Sequence, residues 1–369
     1  MSTLVNFEPF VDSTTTEFLK QLKLRYANQV GNEGVCDLGA WLQYYAFDVI
    51  GELTYSKRLG FVEKGFDIGN IIRDLEAFLD YVSWVSLFFT LLRSSVTASS
   101  LIPRQVGQIP FLDLLLKKNP VKIWMAKHGL LNASNPVAEF AKSHIAERQR
   151  EEESGEAKAV PRRDFLNRFK EARAKNPDFI TEQLVLALTV ANMFAGSDTT
   201  GITMRAVFYF LLKSPPTMEK LLKELSEQSK AGRFARDDAL VQWDEVRTLP
   251  YLGAVINEAL RCHPAVGLTL ERLVPANGVT ISGYFLPGGT IVGCSAWVLH
   301  RDKETFGSDA SEFRPERWIE ASPEQRQKMN NTLFSFGAGA RTCIGKNISL
   351  LELYKLVPAV LRTFEVSTS

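Results

Sequence analysis

Phe18, Leu19, Leu22 and Tyr26 recur at the three-to-four-residue spacing of one helix face, and this period governs most of the first 175 residues. Asp12 and Ser13 stand just before that face as capping candidates. The same pattern predicts helices over roughly 37–57, 70–92, 110–127 and 134–152, separated by clusters of Gly, Pro, Asn and Ser. The longest helix-compatible run covers 180–213, from Thr181 and Glu182 to a stop at Ser214-Pro215-Pro216. At 1.5 Å per residue it spans about 50 Å, enough to cross an entire domain. Further helices are expected near 217–230 and 250–263. The period then shortens: Leu268 to Val274 and Thr290 to Ser295 are β-branched segments around the Pro287-Gly288-Gly289 turn, and predict a small sheet. A last helix runs from about Cys343 to Phe364, which Pro358 is expected to bend or end early. The fold class is mainly α with a small β part, read as one continuous domain over residues 1–369.

Composition narrows the function. Of 369 residues 45% are apolar, with 24 Phe and 6 Trp, so a large interior can be buried. Lys and Arg (43) nearly cancel Asp and Glu (42), which leaves no global field to hold nucleic acid. The four cysteines, Cys36, Cys262, Cys294 and Cys343, lack zinc spacing and read as free thiols in a reducing compartment. Cys36, Cys262 and Cys294 are expected in the core. His128, His144, His263 and His300 are scattered, and each reads as a surface or partly buried histidine. No signal peptide is seen at Met1 to Pro9, and the apolar run Tyr81 to Leu92 is too short to span a bilayer. The charged stretch Glu147 to Arg163 reads as a helix end opening into a solvent loop.

The strongest signal is the glycine-rich segment from Phe336 to Gly345, which places Cys343 at the start of an apolar helix. A helix N-terminus and nearby backbone N–H groups stabilise a thiolate. Gly337, Gly339 and Gly345 are expected to take positive φ and let the backbone approach a flat ligand. Arg341 supplies a fixed cation for a carboxylate. The alternative is a buried structural cysteine beside a flexible loop. However, F-G-x-G-x-R-x-C-x-G resembles the cysteine-ligand signature of the cytochrome P450 superfamily at all six fixed positions. A chance match is on the order of 10⁻⁸ per window, which sets coincidence aside.

The remaining motifs take their meaning from that resemblance. Ala195-Gly196-Ser197-Asp198-Thr199-Thr200 lies midway along the long helix and resembles the family's oxygen-binding segment. Read alone it is a polar patch in a core helix, whose Gly, Ser and Thr weaken or back-bond the ladder and allow a local kink. The resemblance implies that Thr199 hydrogen-bonds the oxygen while Asp198 gates protons to it. Glu258 and Arg261 alone read as a surface ion pair. Phe313 to Trp318 resembles the family's P-E-R-F element with Trp318 in place of Phe, and implies a structural triad of Glu258, Arg261 and Arg317. Arg272 matches a propionate-binding position, or is a solvent-exposed strand arginine.

The resemblance therefore implies a heme-dependent monooxygenase with the cytochrome P450 fold. Heme b (iron-protoporphyrin IX) would be held by the axial Cys343 thiolate, with Phe336, Gly337, Gly339, Arg341, Gly345, Arg272, Ala195 and Gly196 around it. Ala195, Ala265 and Val266 would face a small hydrophobic or aromatic substrate, O2 is the co-substrate, and NADPH-cytochrome P450 reductase donates electrons near Lys346. Family members are usually bound to the endoplasmic reticulum; this chain shows no anchor and an intracellular location is expected, and Tyr81 to Leu92 and Ile109 to Leu116 read either as core helix or, by the resemblance, as a peripheral membrane contact. Phe336 to Thr342 with Gly129-Leu130-Leu131 is similar to the fungal pisatin demethylase and benzoate hydroxylase branch, implying secondary-metabolite biosynthesis. Complete members extend further at both ends, so the chain reads as N- and C-terminally incomplete, and a non-catalytic fragment is the alternative reading.

Overall fold

The computed structural model describes residues 5–27, 29, 34–82, 136–154, 163–235 and 240–368. The expected helix at 110–127, most of the Tyr81 to Leu92 run, Ile109 to Leu116, His128 and Gly129-Leu130-Leu131 lie outside the described residues. The long helices are α1 (Glu8–Arg25), α2 (Leu38–Tyr55), α3 (Ile71–Val82), α4 (Pro136–Glu153), α5 (Phe165–Lys175), α6 (Glu182–Lys213), α7 (Pro215–Lys230), α8 (Pro250–Cys262), α9 (Pro323–Thr332) and α10 (Lys346–Thr363). The chain divides into two compact units, one of Met1–Glu63 with Ala195–Ser369 and one of Lys64–Phe194.

In the first unit α1 and α2 pack through aromatic rings: Phe18 meets Tyr45 edge-to-face at 5.2 Å and Trp41 at 6.3 Å. α1 starts a full turn before the capping candidates, because Pro9 is pre-set for a helix's first turn. Asp12 and Ser13 are therefore interior. Asp12 approaches Lys355 at 2.9 Å and Ser13 donates to Glu52 at 3.0 Å. Lys355 is buried in α10 and also reaches Glu8, at 2.5 Å, so one cation ties the last helix to the first. Pro358 sits inside α10 without ending it. Its neighbours Leu356, Val357, Ala359 and Val360 are all buried, and that packing outweighs one missing backbone hydrogen bond. α6 ends at Lys213, stopped before Pro215-Pro216 as expected, and the same prolines open α7, since proline at the first turn gives up only a donor that would be orphaned.

The β part is two antiparallel pairs. β1 (Leu270–Leu273) pairs with β4 (Ile291–Cys294), register Arg272 opposite Val292, as the two β-branched segments predicted. β2 (Val279–Ile281) and β3 (Tyr284–Leu286) form a hairpin that the periodicity did not single out. Its turn is Ser282-Gly283, both at positive φ (50° and 83°), the geometry a two-residue hairpin demands.

The second unit contains α3, α4, α5 and the first turns of α6. Its buried ion pair joins Arg148 of α4 to Asp164, Nη2 to Oδ2 at 2.7 Å, with side chains only 6% and 0% exposed. Asp164 also caps α5 by accepting from Asn167 N at 2.9 Å. Removing the guanidinium strands a buried carboxylate, so Arg148→Ala is expected to cost roughly 3–5 kcal/mol. Urea unfolding measures this, and a loss below about 1 kcal/mol, the range of solvated surface pairs, would contradict it.

Candidate cofactor site

Cys343 lies three residues before α10, in a loop tied by its own backbone. Gly337 N donates to Phe334 O at 2.9 Å, Cys343 N to Phe336 O at 2.9 Å, and Thr342 N to Gly339 O at 3.1 Å. The first two bonds fold the chain back so that Cys343 stands over Phe336. Gly337 and Gly339 take φ of 67° and 69°, as the motif required, and a Cβ on Gly337 would touch Leu270 of β1 at 3.4 Å. Gly345 departs from expectation, with φ at −81° as the residue preceding α10. A Cβ there would lie 3.8 Å from Cys343 Sγ, an ordinary contact distance. Cys343 is exposed, and Lys346 Nζ sits 5.6 Å above the Phe336 ring.

Beneath the loop is a buried network that the sequence outlined only in part. Glu258 accepts from Arg261 Nε (2.9 Å) and Nη2 (2.8 Å), from Arg317 Nε (2.8 Å), from Arg314 N (2.9 Å) and from Trp318 Nε1 (2.8 Å). All three triad side chains are buried, so the surface reading of Glu258 and Arg261 is wrong: the loops at 300–318 cover them. Burial alone would lower the Arg261 guanidinium, but its hydrogen bonds to Glu258 raise it above its ordinary value. Trp318, where the family has Phe, contributes a donor a phenyl ring lacks. His300 was expected at or near the surface and is fully buried. Its ring spans Arg261 O (Nδ1, 2.9 Å) and Phe334 N (Nε2, 2.7 Å). Burial pushes His300 down to about 4, aided by the Arg261 and Arg301 charges and opposed by its bond to Arg261 O.

The polar segment of α6 remains helical throughout, with no break at Gly196. Back-bonding does occur: Thr199 Oγ1 donates to Ala195 O at 2.7 Å, and Thr203 Oγ1 to Thr199 O at 2.8 Å. Gly196 makes room for a neighbouring helix, because a Cβ there would meet Ile50 Cδ1 at 2.7 Å. Asp198 Oδ1 accepts from Gln43 Nε2 of α2 at 3.1 Å, while Gln43 Oε1 accepts from Arg205 and Arg205 Nε donates to Gly39 O at 2.8 Å. Gln43 and Arg205 were not legible as site residues, since only the packing of α2 on α6 brings them to Asp198. Thr200 Oγ1 lies 3.3 Å from Ser349 Oγ, which fastens α6 to the first turn of α10.

These residues fit heme b. The thiol is exposed, with the fully exposed Ile344 beside it; Leu273 and Ile291 are also exposed on β1 and β4. The guanidinium side chains of Arg341 and Arg272 are exposed as well, Arg272 Nη1 donating to Glu271 O at 2.7 Å. A flat apolar macrocycle with an iron that takes sulfur and two carboxylates matches that donor set. Ala195 and Val266 are exposed and Ala265 is half-buried. Of the other cysteines Cys262 is buried, Cys36 half-buried and Cys294 exposed, so the core expectation holds for Cys262 alone. Among the described residues no helix is long and apolar enough to cross a membrane.

Arg317→Ala leaves a buried carboxylate with one guanidinium, so it is expected to cost roughly 3–5 kcal/mol. Trp318→Phe removes a single donor and is expected to cost about 1–3 kcal/mol. Thermal denaturation of both tests the ordering; equal melting temperatures for the two would contradict it.

The chain matches the cytochrome P450 family over residues 1–369. It is 45% identical over 369 residues to a cytochrome P450 monooxygenase of Aspergillus terreus (strain NIH 2624 / FGSC A1156), covering 100% of this chain and 68% of that protein. It is 40% identical over 366 residues to cytochrome P450 monooxygenase cicH of Emericella nidulans, covering 99% of this chain and 66% of that one. With cytochrome P450 monooxygenase mpaDE of Penicillium roqueforti the identity is 39% over 367 residues, 99% of this chain but 39% of the relative. The chain thus spans between about two fifths and two thirds of these proteins. With the cysteine loop, the buried triad and a family match along its whole length, this chain belongs to the cytochrome P450 family.

Proposed function

We propose that residues 1–369 form the heme domain of a monooxygenase that inserts one oxygen atom of O2 into a small hydrophobic or aromatic substrate in fungal secondary-metabolite biosynthesis. The observation that carries the reading is the loop in which Cys343 N–H is bonded to Phe336 O, Gly337 and Gly339 take positive φ and the thiol is exposed. Cys343 would hold the iron, Phe336, Gly337 and Gly339 would lie along the proximal side, and Arg341 and Arg272 would meet the propionates. Heme bound there supplies the activation of O2. NADPH-cytochrome P450 reductase would deliver electrons from the side of Lys346, and the family's usual endoplasmic reticulum setting would apply.

The chain's own residues handle the protons. Thr199 places its hydroxyl proton on Ala195 O, which turns the oxygen's lone pairs outward to accept from a water. Asp198, steadied by Gln43, is the carboxyl that passes protons to that water. Ala195 and Gly196 keep the helix surface beside them small, and Ala195, Ala265 and Val266 would line the substrate side.

Two measurements test this. The chain loaded with heme, reduced and exposed to carbon monoxide is expected to show the strongly red-shifted Soret band of thiolate ligation, and Cys343→Ala to abolish it completely. A wild-type chain without that band would overturn the reading. Thr199→Ala is expected to raise the hydrogen peroxide released per NADPH consumed several-fold, with heme loading unchanged; an unaltered ratio would remove Thr199 from the relay.

A further inference from the structure

We infer that His300 is the positioning residue of the Cys343 loop, setting the chain that enters the loop through one defined neutral tautomer. The inference rests on the heme-thiolate reading only for what the loop carries. His300 follows the one-turn helix Ala296–Leu299 and is engaged at three atoms. A backbone N–H can only donate and a carbonyl only accept, so the partners assign the ring: Phe334 N–H donates to Nε2 at 2.7 Å, and the proton therefore sits on Nδ1 and is donated to Arg261 O at 2.9 Å. The His300 carbonyl accepts in turn from Arg261 Nη1 at 2.8 Å.

These contacts reach the cysteine in a few steps. Phe334, bonded at its N–H to the imidazole, receives Gly337 N–H at its carbonyl, and the next residue, Ser335, donates through Oγ to Leu260 O at 2.8 Å. Phe336 then receives the N–H of Cys343. The imidazole is thus a buried side-chain link between the Glu258-Arg261 network and the backbone that presents the thiol. A ring protonated on both nitrogens would aim an N–H at the Phe334 N–H and break the link. Burial and the Arg261 and Arg301 charges hold His300 neutral. A merely space-filling histidine would not need opposite hydrogen-bonding roles on its two nitrogens.

The test compares His300→Phe, His300→Asn and His300→Gln with wild type and with Phe18→Ala, a truncation in the α1–α2 core. Two readouts are taken: hydrogen exchange at the amides of residues 334–343, and the fraction of thiolate-type carbon monoxide spectrum after heme loading. An unsatisfied buried amide costs about 1–3 kcal/mol, so His300→Phe is expected to speed exchange there roughly tenfold or more and to lower the thiolate fraction. His300→Gln keeps a donor and an acceptor on one planar group and is expected to restore both readouts. Phe18→Ala is expected to lower the melting temperature without moving either. His300→Asn reaches Arg261 O but not Phe334, and gives the same answer as His300→Phe should the latter fail to fold. Native exchange and a native thiolate fraction in the Phe or Asn variant would overturn the inference. If wild type shows no thiolate band the heme reading fails, and the exchange data still decide the role of His300.

Discussion

The structure depends on one buried carboxylate. Glu258 has no exposed surface, and withdrawing such a charge from water costs several kcal/mol unless donors replace the lost hydration. Five do: two from Arg261, one each from Arg317 and Trp318, and the backbone N–H of Arg314. The two guanidinium groups then direct their remaining N–H bonds to the carbonyls of His300, Ala310, Glu312, Phe306 and Asp309. A stretch of irregular backbone with no ladder to satisfy it is thereby bonded by charged donors. The path to the cysteine loop is fixed for that reason.

From this anchor the site is assembled by contacts between distant parts of the first unit. Gly337 abuts Leu270 of β1, Thr200 meets Ser349, and Lys355 binds both Glu8 and the carbonyl of Val241. Each joins residues far apart in sequence. The loop around Cys343 is therefore constrained on several sides although its thiol is exposed.

A similar economy governs α6. An amide side chain such as Gln43 can be turned either way, and Arg205 removes the choice, because a guanidinium can only donate. The carbonyl end of Gln43 is claimed and its NH2 end must face Asp198. Asp198 is thus aligned through Gln43 by the Arg205 cation. The hydroxyl of Thr199, back-bonded to Ala195, is oriented by its own helix.

Helix positions, the β1 and β4 segments and the chemistry of the cysteine loop could be read from the sequence, because they follow from local period and from residue types that few other roles require. Phe336, Gly337, Gly339, Arg341 and Cys343 belong to that group, as do Glu258, Arg261 and Arg317 once the family pattern is seen. The places where reading failed share a cause. Pro358 and Asp12 have local preferences that packing or helix-end geometry overrode. His300, Gln43, Arg205 and the Trp318 indole gain their roles from partners 34 to 166 residues away, a relation that no local pattern encodes. The sequence by itself determined which elements form and which sulfur is presented. Only the tertiary structure decided which charges are buried, which donors meet them and which histidine holds the loop, because burial and hydrogen-bond partnership are properties of the packed chain.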